Sequence, residues 1–323
     1  MTSVPAFSKD VLRLDAAAEA DRICAWIGQT LRGMRKRGVV VAFSGGIDSS
    51  VVGALAARAV GAGNVYGIMM PEEDSSAETD RLGRMIVEHL GVPYSYERIT
   101  PVLEGFGCYK RRDEAIRAVI PEYASDWKHK IVLPPVTESD QYRVYSVVAQ
   151  TPDGRLVKAR LPLESYLQIV AATNFKQRTR KTLEYFHADR LNYAVAGTPN
   201  LLEYDQGFFV KLGDGAADLK PIAHLYKTQV YQMAEFLGVP ADIRQRQPTT
   251  DTYSLAQSQE EFYFSLPYAQ MDLCLYARTH EVPAAVVAPV LGLTPEQVER
   301  VYRDIDGKRR FAHYLHLEPQ RLT

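Results

Sequence analysis

Residues 39–43 read Val-Val-Val-Ala-Phe and run without a polar side chain into Ser44-Gly45-Gly46. A strand that is apolar on both sides must be covered on both faces, the condition of a central strand in a parallel sheet. Parallel neighbours need crossover connections, and the chain supplies them. Residues 49–60 are rich in Ala and Val and read as a helix, 65–70 as a second strand, 75–90 as a second helix and 94–99 as a third strand. An amphipathic helix is expected ahead of them, because Val11, Leu14, Ala18, Ile23, Trp26, Ile27 and Leu31 recur at helical spacing.

Residues 121–162 break this rhythm. Two extended runs, 142–150 and 155–161, flank Thr151-Pro152-Asp153-Gly154 and predict a β-hairpin insertion. Residues 163–186 resume as a long helix, 191–196 as a fourth strand of the main sheet and 221–237 as a helix that starts at Pro221 and stops near Gly238. From residue 259 to 323 the chain reads mainly helical, including 284–291 and 295–305. The expected class is therefore α/β, a Rossmann-like, doubly wound parallel sheet flanked by helices, with a hairpin insertion and a helical C-terminal part, all in one domain over 1–323. Ligands of such sheets bind beyond the carboxyl ends of the strands.

That edge carries Ser44-Gly45-Gly46-Ile47-Asp48-Ser49-Ser50. Between a buried strand and a helix, its backbone N–H groups and the helix N-terminus make a cradle for pyrophosphate. Gly45 and Gly46 admit the phosphate oxygens close to the backbone, and Ser44 and Ser49 are placed to hydrogen-bond them. No Gly-Lys-Ser/Thr follows, so this is not a Walker loop. Asp48 would repel a phosphate unless a cation intervened, which marks it as a ligand of Mg²⁺ bound to ATP.

The loop resembles the signature of the ATP pyrophosphatases, which cleave ATP between the α and β phosphates. Three further blocks narrow the resemblance to the NAD synthetases: residues 197–203, Gly-Thr-Pro-Asn-Leu-Leu-Glu; 207–218, Gly-Phe-Phe-Val-Lys-Leu-Gly-Asp-Gly-Ala-Ala-Asp; and 225–230, Leu-Tyr-Lys-Thr-Gln-Val. The similarity runs from Val39 to Thr249. It implies that Thr198 and Lys227 contact ATP, that Thr249 approaches the phosphates, and that Glu203 joins Asp48 around Mg²⁺. It also implies that Arg178, Lys211, Asp218 and Lys308 bind the acid, nicotinic acid adenine dinucleotide. Asp48 and Lys227 are then catalytic, together with Asp214, whose glycine-rich loop suits it to orient ammonia or take its proton. A homodimer is implied, with residues 174–186 as a candidate interface.

Three segments depart from the family pattern. Gly307-Lys308-Arg309 stands where a His-Lys-Arg segment is usual, the loop after Thr249 has its own wording, and the insertion is unusual. All three bear on the identity of the acid, so an amide ligase for another carboxylate is the alternative. Cys24, Cys108 and Cys274 lack the context of a glutaminase nucleophile, and the expected nitrogen source is free ammonia or a separate glutaminase. A tRNA-thiolating relative would need a catalytic cysteine and a basic surface, yet 38 Lys and Arg balance 39 Asp and Glu. No nucleic-acid or membrane partner is expected, and the cytoplasm is the expected location.

Overall fold

The structure is a computed structural model and describes residues 7–133, 144–249, 252–264 and 266–322. The spacing over 11–31 predicts one helix, but a 3-10 turn occupies Lys9–Leu12 and α1 spans Ala16–Gly33. The reason is local: the Asp15 carboxylate accepts from the Ala18 N–H at 3.1 Å and sets the start. The chain continues as β1 (Val39–Ala42), α2 (Ile47–Val60), β2 (Val65–Met69), α3 (Ala77–Leu90) and β3 (Tyr94–Tyr96). Two unanticipated helices follow, α4 (Thr100–Gly105) and α5 (Cys108–Arg117). The insertion holds β4 (Lys128–Val132), β5 (Ser146–Gln150) and β6 (Leu156–Arg160). Next come α6 (Leu163–Leu191), β7 (Ala194–Ala196) and α7 (Leu201–Gln206). The rest is α8 (Lys227–Phe236), α9 (Ala241–Gln245), a π-helical turn at Glu260–Phe264, α10 (Tyr268–Thr279), α11 (Ala284–Leu291) and α12 (Pro295–His316).

The main sheet has the order β3-β2-β1-β7 and every pairing is parallel. Its faces follow from the period of two in β1. Val39 and Val41 pack with Ile27, Val51, Leu55 and Val230 on one side. Val40 packs with Ile68, Leu103, Ala188 and Val195 on the other. All three valines are fully buried, and each contributes about 2 kcal/mol of apolar burial. The apolar run at 39–43 is thus the wall between two helical layers, the condition its composition requires.

Elsewhere the boundaries move for identifiable reasons. α6 extends to Leu191 instead of stopping at 186, and Asn192 ends it in the left-handed region (φ 55°). The strand expected over 191–196 is confined to Ala194–Ala196. The helix expected from Pro221 begins only at Lys227, since Tyr226 is extended and acts as its N-cap. The two runs of the insertion do pair antiparallel, β5 with β6, but β4 joins them to make a three-stranded sheet. Lys128-His129-Lys130-Ile131-Val132 hides as a strand because one of its two buried positions is a histidine. Burial pushes His129 down to about 3, so it is neutral, and its Nδ1 lies 3.0 Å from the Tyr123 hydroxyl. The start of the first expected run, Tyr142 and Arg143, and the loop residues Thr250 and Asp251 lie outside the described residues. Among those described, no helix is long and apolar enough to cross a membrane.

A buried ionic network ties the β2 loop to α5 and α6. The Lys176 ammonium, 1% exposed, donates to Glu72 Oε1 at 3.0 Å, Asp74 Oδ2 at 2.6 Å and the Thr252 carbonyl at 2.8 Å. Arg112 donates to Asp74 at 2.7 Å and to Asp113 at 2.8 Å, and the Tyr109 hydroxyl donates to Glu72. The helix face around Lys176 is therefore packed inside the protein rather than solvated. Taking one charge from such a set strands its partners in a poorly solvating interior. Lys176→Ala is expected to lower unfolding stability by about 3 kcal/mol, read from urea denaturation, and a loss below about 1 kcal/mol would show that water reaches the network.

Candidate active site

At the carboxyl edge of the sheet, β1 turns through Ser44-Gly45-Gly46 into α2. Gly45 has φ 69°, and a Cβ there would stand 2.8 Å from the Thr79 carbonyl oxygen and 2.9 Å from the Gly83 nitrogen. Only glycine fits between β1 and α3. The loop is braced from within: the Ser50 hydroxyl donates to the Gly46 carbonyl at 2.8 Å and the Ser49 hydroxyl to the same oxygen at 3.1 Å. Ser44 is exposed, while Ser49 is buried. The uncapped N-terminus of α2 then opens onto a cleft of about 730 Å³ lined by Ser44, Gly46, Asp48 and Ser49.

Asp48 is held from two sides. The Lys227 ammonium, fully buried at the first residue of α8, forms an ion pair with its Oδ2. The Asn200 amide donates to its Oδ1 at 3.0 Å. Burial works against the Lys227 charge, but Asp48 and Glu203 outweigh it and raise its pKa. Asn200 is also the N-cap of α7: its side chain accepts from the Glu203 N–H at 3.1 Å, and the Glu203 carboxylate accepts from the Asn200 N–H at 3.2 Å. One asparagine therefore links both acids expected to hold the metal. Burial first, and the Asp48 charge second, push Glu203 up to about 8. A buried Glu203 that resists ionising beside a second carboxylate is what a divalent cation would relieve. Among the described residues no group of three or more His, Cys, Asp or Glu could hold a metal. This pair suits Mg²⁺, which binds one or two carboxylates and completes its shell with phosphate and water.

The other expected residues fall into three groups. Thr198, Glu203, Thr249, Arg178, Lys211 and Asp214 line the cleft with the loop. Gly45 and Lys227 stand behind its wall. Asp218 faces elsewhere: its carboxylate accepts from the Val195 N–H at 2.8 Å and the Tyr185 hydroxyl at 3.2 Å. Lys308 also lies off the cleft, donating to the Tyr263 carbonyl at 2.7 Å and pairing with Asp304. At the mouth Arg178 donates to the Lys211 carbonyl, and the Lys211 ammonium donates to the carbonyls of Tyr314 and Leu317. Asp214 accepts from the Val210 N–H at 2.8 Å, and burial raises its pKa.

Several residues of this region carry no site signal in the sequence. Arg180 donates to the Met70 carbonyl at 3.2 Å, and Lys181 pairs with Glu184 at 2.6 Å, all three side chains lining the cleft. Asn200 was findable, since Asn200-x-x-Glu203 has capping-box spacing. Asp272 was not. Fully buried in α10, it accepts from the N–H groups of Thr228 at 2.7 Å and Lys227 at 3.3 Å, and so fixes the end of α8 that carries Lys227. Cys108 and Cys274 are buried, and burial pushes their thiols up to about 11 and about 12, the opposite of what a nucleophile needs.

A glycine loop that opens a helix N-terminus onto a cleft, beside paired carboxylates and a buried lysine, has the make-up of a nucleotide-dependent enzyme site. The family model described as NAD synthase matches residues 19–119 and 138–312. The NH(3)-dependent NAD(+) synthetase of Rhizobium meliloti (strain 1021) is 58% identical over 314 residues, covering 97% of this chain and 94% of the relative. Two solved structures share the fold: the NH3-dependent NAD synthetase of Campylobacter jejuni (TM-score 0.63, 20% identity, 96% of this chain and 100% of that one) and the NMN synthetase of Francisella tularensis (TM-score 0.66, 19% identity, 96% and 99%). The chain belongs to the NAD synthase family.

Asp272 offers a test of how α8 is anchored. Burial pushes this carboxyl up to about 6 from an ordinary value of 3.8, so between those values the folded state holds more protons than the unfolded one. Stability then falls as pH rises through that window. The advantage of the wild type over Asp272→Asn should shrink from pH 4 to pH 6 and stay level above pH 7, as measured by urea denaturation. A constant difference would show that Asp272 ionises as freely as in water.

Proposed function

We propose that this protein is an ammonia-dependent NAD synthetase: it joins ammonia to the carboxylate of nicotinic acid adenine dinucleotide and converts ATP to AMP and pyrophosphate. The observation that carries this reading is the pair Asp48 and Glu203, linked by Asn200 and braced by Lys227 at the mouth of a phosphate-accepting loop. The relative from Rhizobium meliloti, matched along 97% of this chain, bears the corresponding name.

A carboxylate is a poor electrophile, so its oxygen first attacks the α-phosphate of ATP and pyrophosphate leaves. The N-terminus of α2 receives the phosphates, and Thr198 and Thr249 lie along the same cleft. Asp48 and Glu203 would hold Mg²⁺, which neutralises charge on pyrophosphate. Lys227 keeps Asp48 in place and adds positive charge behind the loop. Ammonia then attacks the acyl adenylate and AMP departs. Asp214, whose raised pKa makes it a better base than an ordinary carboxylate, takes the proton that ammonium must lose. Arg178 and Lys211, at the mouth, meet the phosphates of the dinucleotide. We place the enzyme in the cytoplasm as a two-fold dimer, with exposed Phe106 and Phe186 as candidate interface residues. A solution mass equal to one chain at micromolar concentration would rule out the dimer.

Incubation with Mg-ATP, an ammonium salt and nicotinic acid adenine dinucleotide is expected to yield NAD, AMP and pyrophosphate in equal amounts by mass spectrometry. Production of ADP and phosphate would refute the reaction class, and amidation of a different acid alone would refute the substrate. Asp48→Asn should lower kcat by about a hundredfold or more and also lower the melting temperature, because it takes the paired charge from the buried Lys227 ammonium. Wild-type turnover in that variant would remove Asp48 from the machinery.

A further inference from the structure

The loop that carries Asp214 lies flat against α6. A Cβ at Gly213 would stand 2.9 Å from the Gln177 Cβ and 3.2 Å from its carbonyl carbon, so a glycine is what lets the backbone approach this closely. Further along the loop, Asp218 Oδ1 accepts from the Tyr185 hydroxyl at 3.2 Å. These two contacts bracket the stretch of α6 from 177 to 185. Within it Gln177, Lys181 and Glu184 recur at helical spacing and line the cleft, as Asp214 does. Lys181 and Glu184 are 5% and 4% exposed, and the ammonium donates to Glu184 Oε2 at 2.6 Å. A buried ion pair is a poor source of stability, because apolar side chains of similar size would serve at least as well. Its place in the wall of a reaction cleft, under the loop of Asp214, points to a chemical use.

We propose that Glu184 is the second proton acceptor of the amidation step, working beside Asp214. This rests on the function proposed above. Ammonium must lose one proton to expose its lone pair. Ammonia then forms the C–N bond to the acyl carbon, and the C–O bond to AMP breaks with its electron pair going to the phosphate oxygen. The nitrogen must shed a second proton to become a neutral amide. Two protons are thus released for each AMP, and a single carboxylate holds only one of them. Asp214 takes the first, and Glu184 takes the second at Oε1, the oxygen opposite the one that Lys181 holds. Both protons pass to water when the products leave the cleft. Burial raises the pKa of Glu184 and makes it a stronger base than a surface carboxylate, while the Lys181 charge opposes that shift and favours the ionised form. The charged groups facing it are Lys181 and Arg180 on α6 and Asp214 on the loop, with Tyr185 beside it and Lys220 beyond Asp214.

The test separates the two half-reactions of the full-length enzyme. Adenylation moves no proton, so Glu184→Gln should leave the exchange of labelled pyrophosphate into ATP, run with nicotinic acid adenine dinucleotide and no ammonium, within about twofold of wild type. Amide formation with ammonium saturating should fall about a hundredfold. That deficit should narrow as pH rises, because more of the nitrogen then enters as free ammonia and Asp214 alone can take the remaining proton. Lys181→Met combined with Glu184→Gln removes the pair without stranding a buried ammonium, and it should show the same split even if the single variant misfolds. Amide formation within about twofold of wild type in either folded variant would overturn the proposal. So would a loss of exchange as large as the loss of amide, or a deficit that is the same at every pH. Failure of the wild type to amidate the dinucleotide at all is a different result and refutes the proposed function itself.

Discussion

The site is organised around one buried ion pair, Lys227 with Asp48. A fully buried ammonium is tolerable only with a partner charge in contact and its backbone surroundings fixed. The structure meets both conditions through residues far apart in the chain. Asp48 arrives at the start of α2, Lys227 at the start of α8, Asn200 at the cap of α7 and Asp272 from within α10. Each of these contacts joins a different helix to the same point. Three of the helices, α2, α7 and α8, present their N-termini toward it, where partial positive charge suits anionic ligands. The pair therefore serves as a fold contact and as the foundation of the glycine-loop end of the cleft.

A second constraint acts at a distance from the phosphates. The network of Lys176, Glu72, Asp74 and Arg112 fastens the loop after β2 to α5 and α6, and through the Thr252 carbonyl it also fastens the segment that follows Thr249. Both segments contribute residues to the cleft, Pro71 and Ser75 on one side and Thr249 and Thr252 on the other. Loops that carry function are commonly the mobile parts of an α/β protein, and here buried ionic contacts hold the bases of two of them. α6 is the common element, fixed to the main sheet at one end and to the insertion at the other.

Much of this was legible in the sequence, for reasons that belong to single segments. The apolar run 39–43 can be satisfied only by burial on both faces, and β1 is paired and covered on both. Gly45 sits at positive φ in a gap that admits no side chain, so the glycine pair announced a close backbone approach. Asp48, Thr198, Glu203, Lys211 and Asp214, which the motif blocks contain, line one cleft together with Arg178 and Thr249. The elements that escaped notice have weak local signals. β4 buries a neutral histidine where a strand pattern calls for an apolar residue, and α4 and α5 are a short pair broken at Gly107, which takes φ 68°.

The sequence by itself determined the parallel α/β class, the glycine turn into α2 and the residue types around it, because each follows from period, glycine placement or charge within a few neighbouring positions. Only the tertiary structure decided which charges meet. Lys176 has two arginines, Arg178 and Arg180, beside it in the chain, and nothing local marks it as buried, yet it packs against two carboxylates about a hundred positions away. Asp218 and Lys308 were both expected at the substrate, yet packing turns the first toward Val195 and Tyr185 and the second toward Tyr263 and Asp304. Asp272 has no local pattern at all, and its role arises because α10 packs against the start of α8. Burial, and with it the strength of an electrostatic contact, depends on how whole elements pack, and no window of neighbouring residues contains that information.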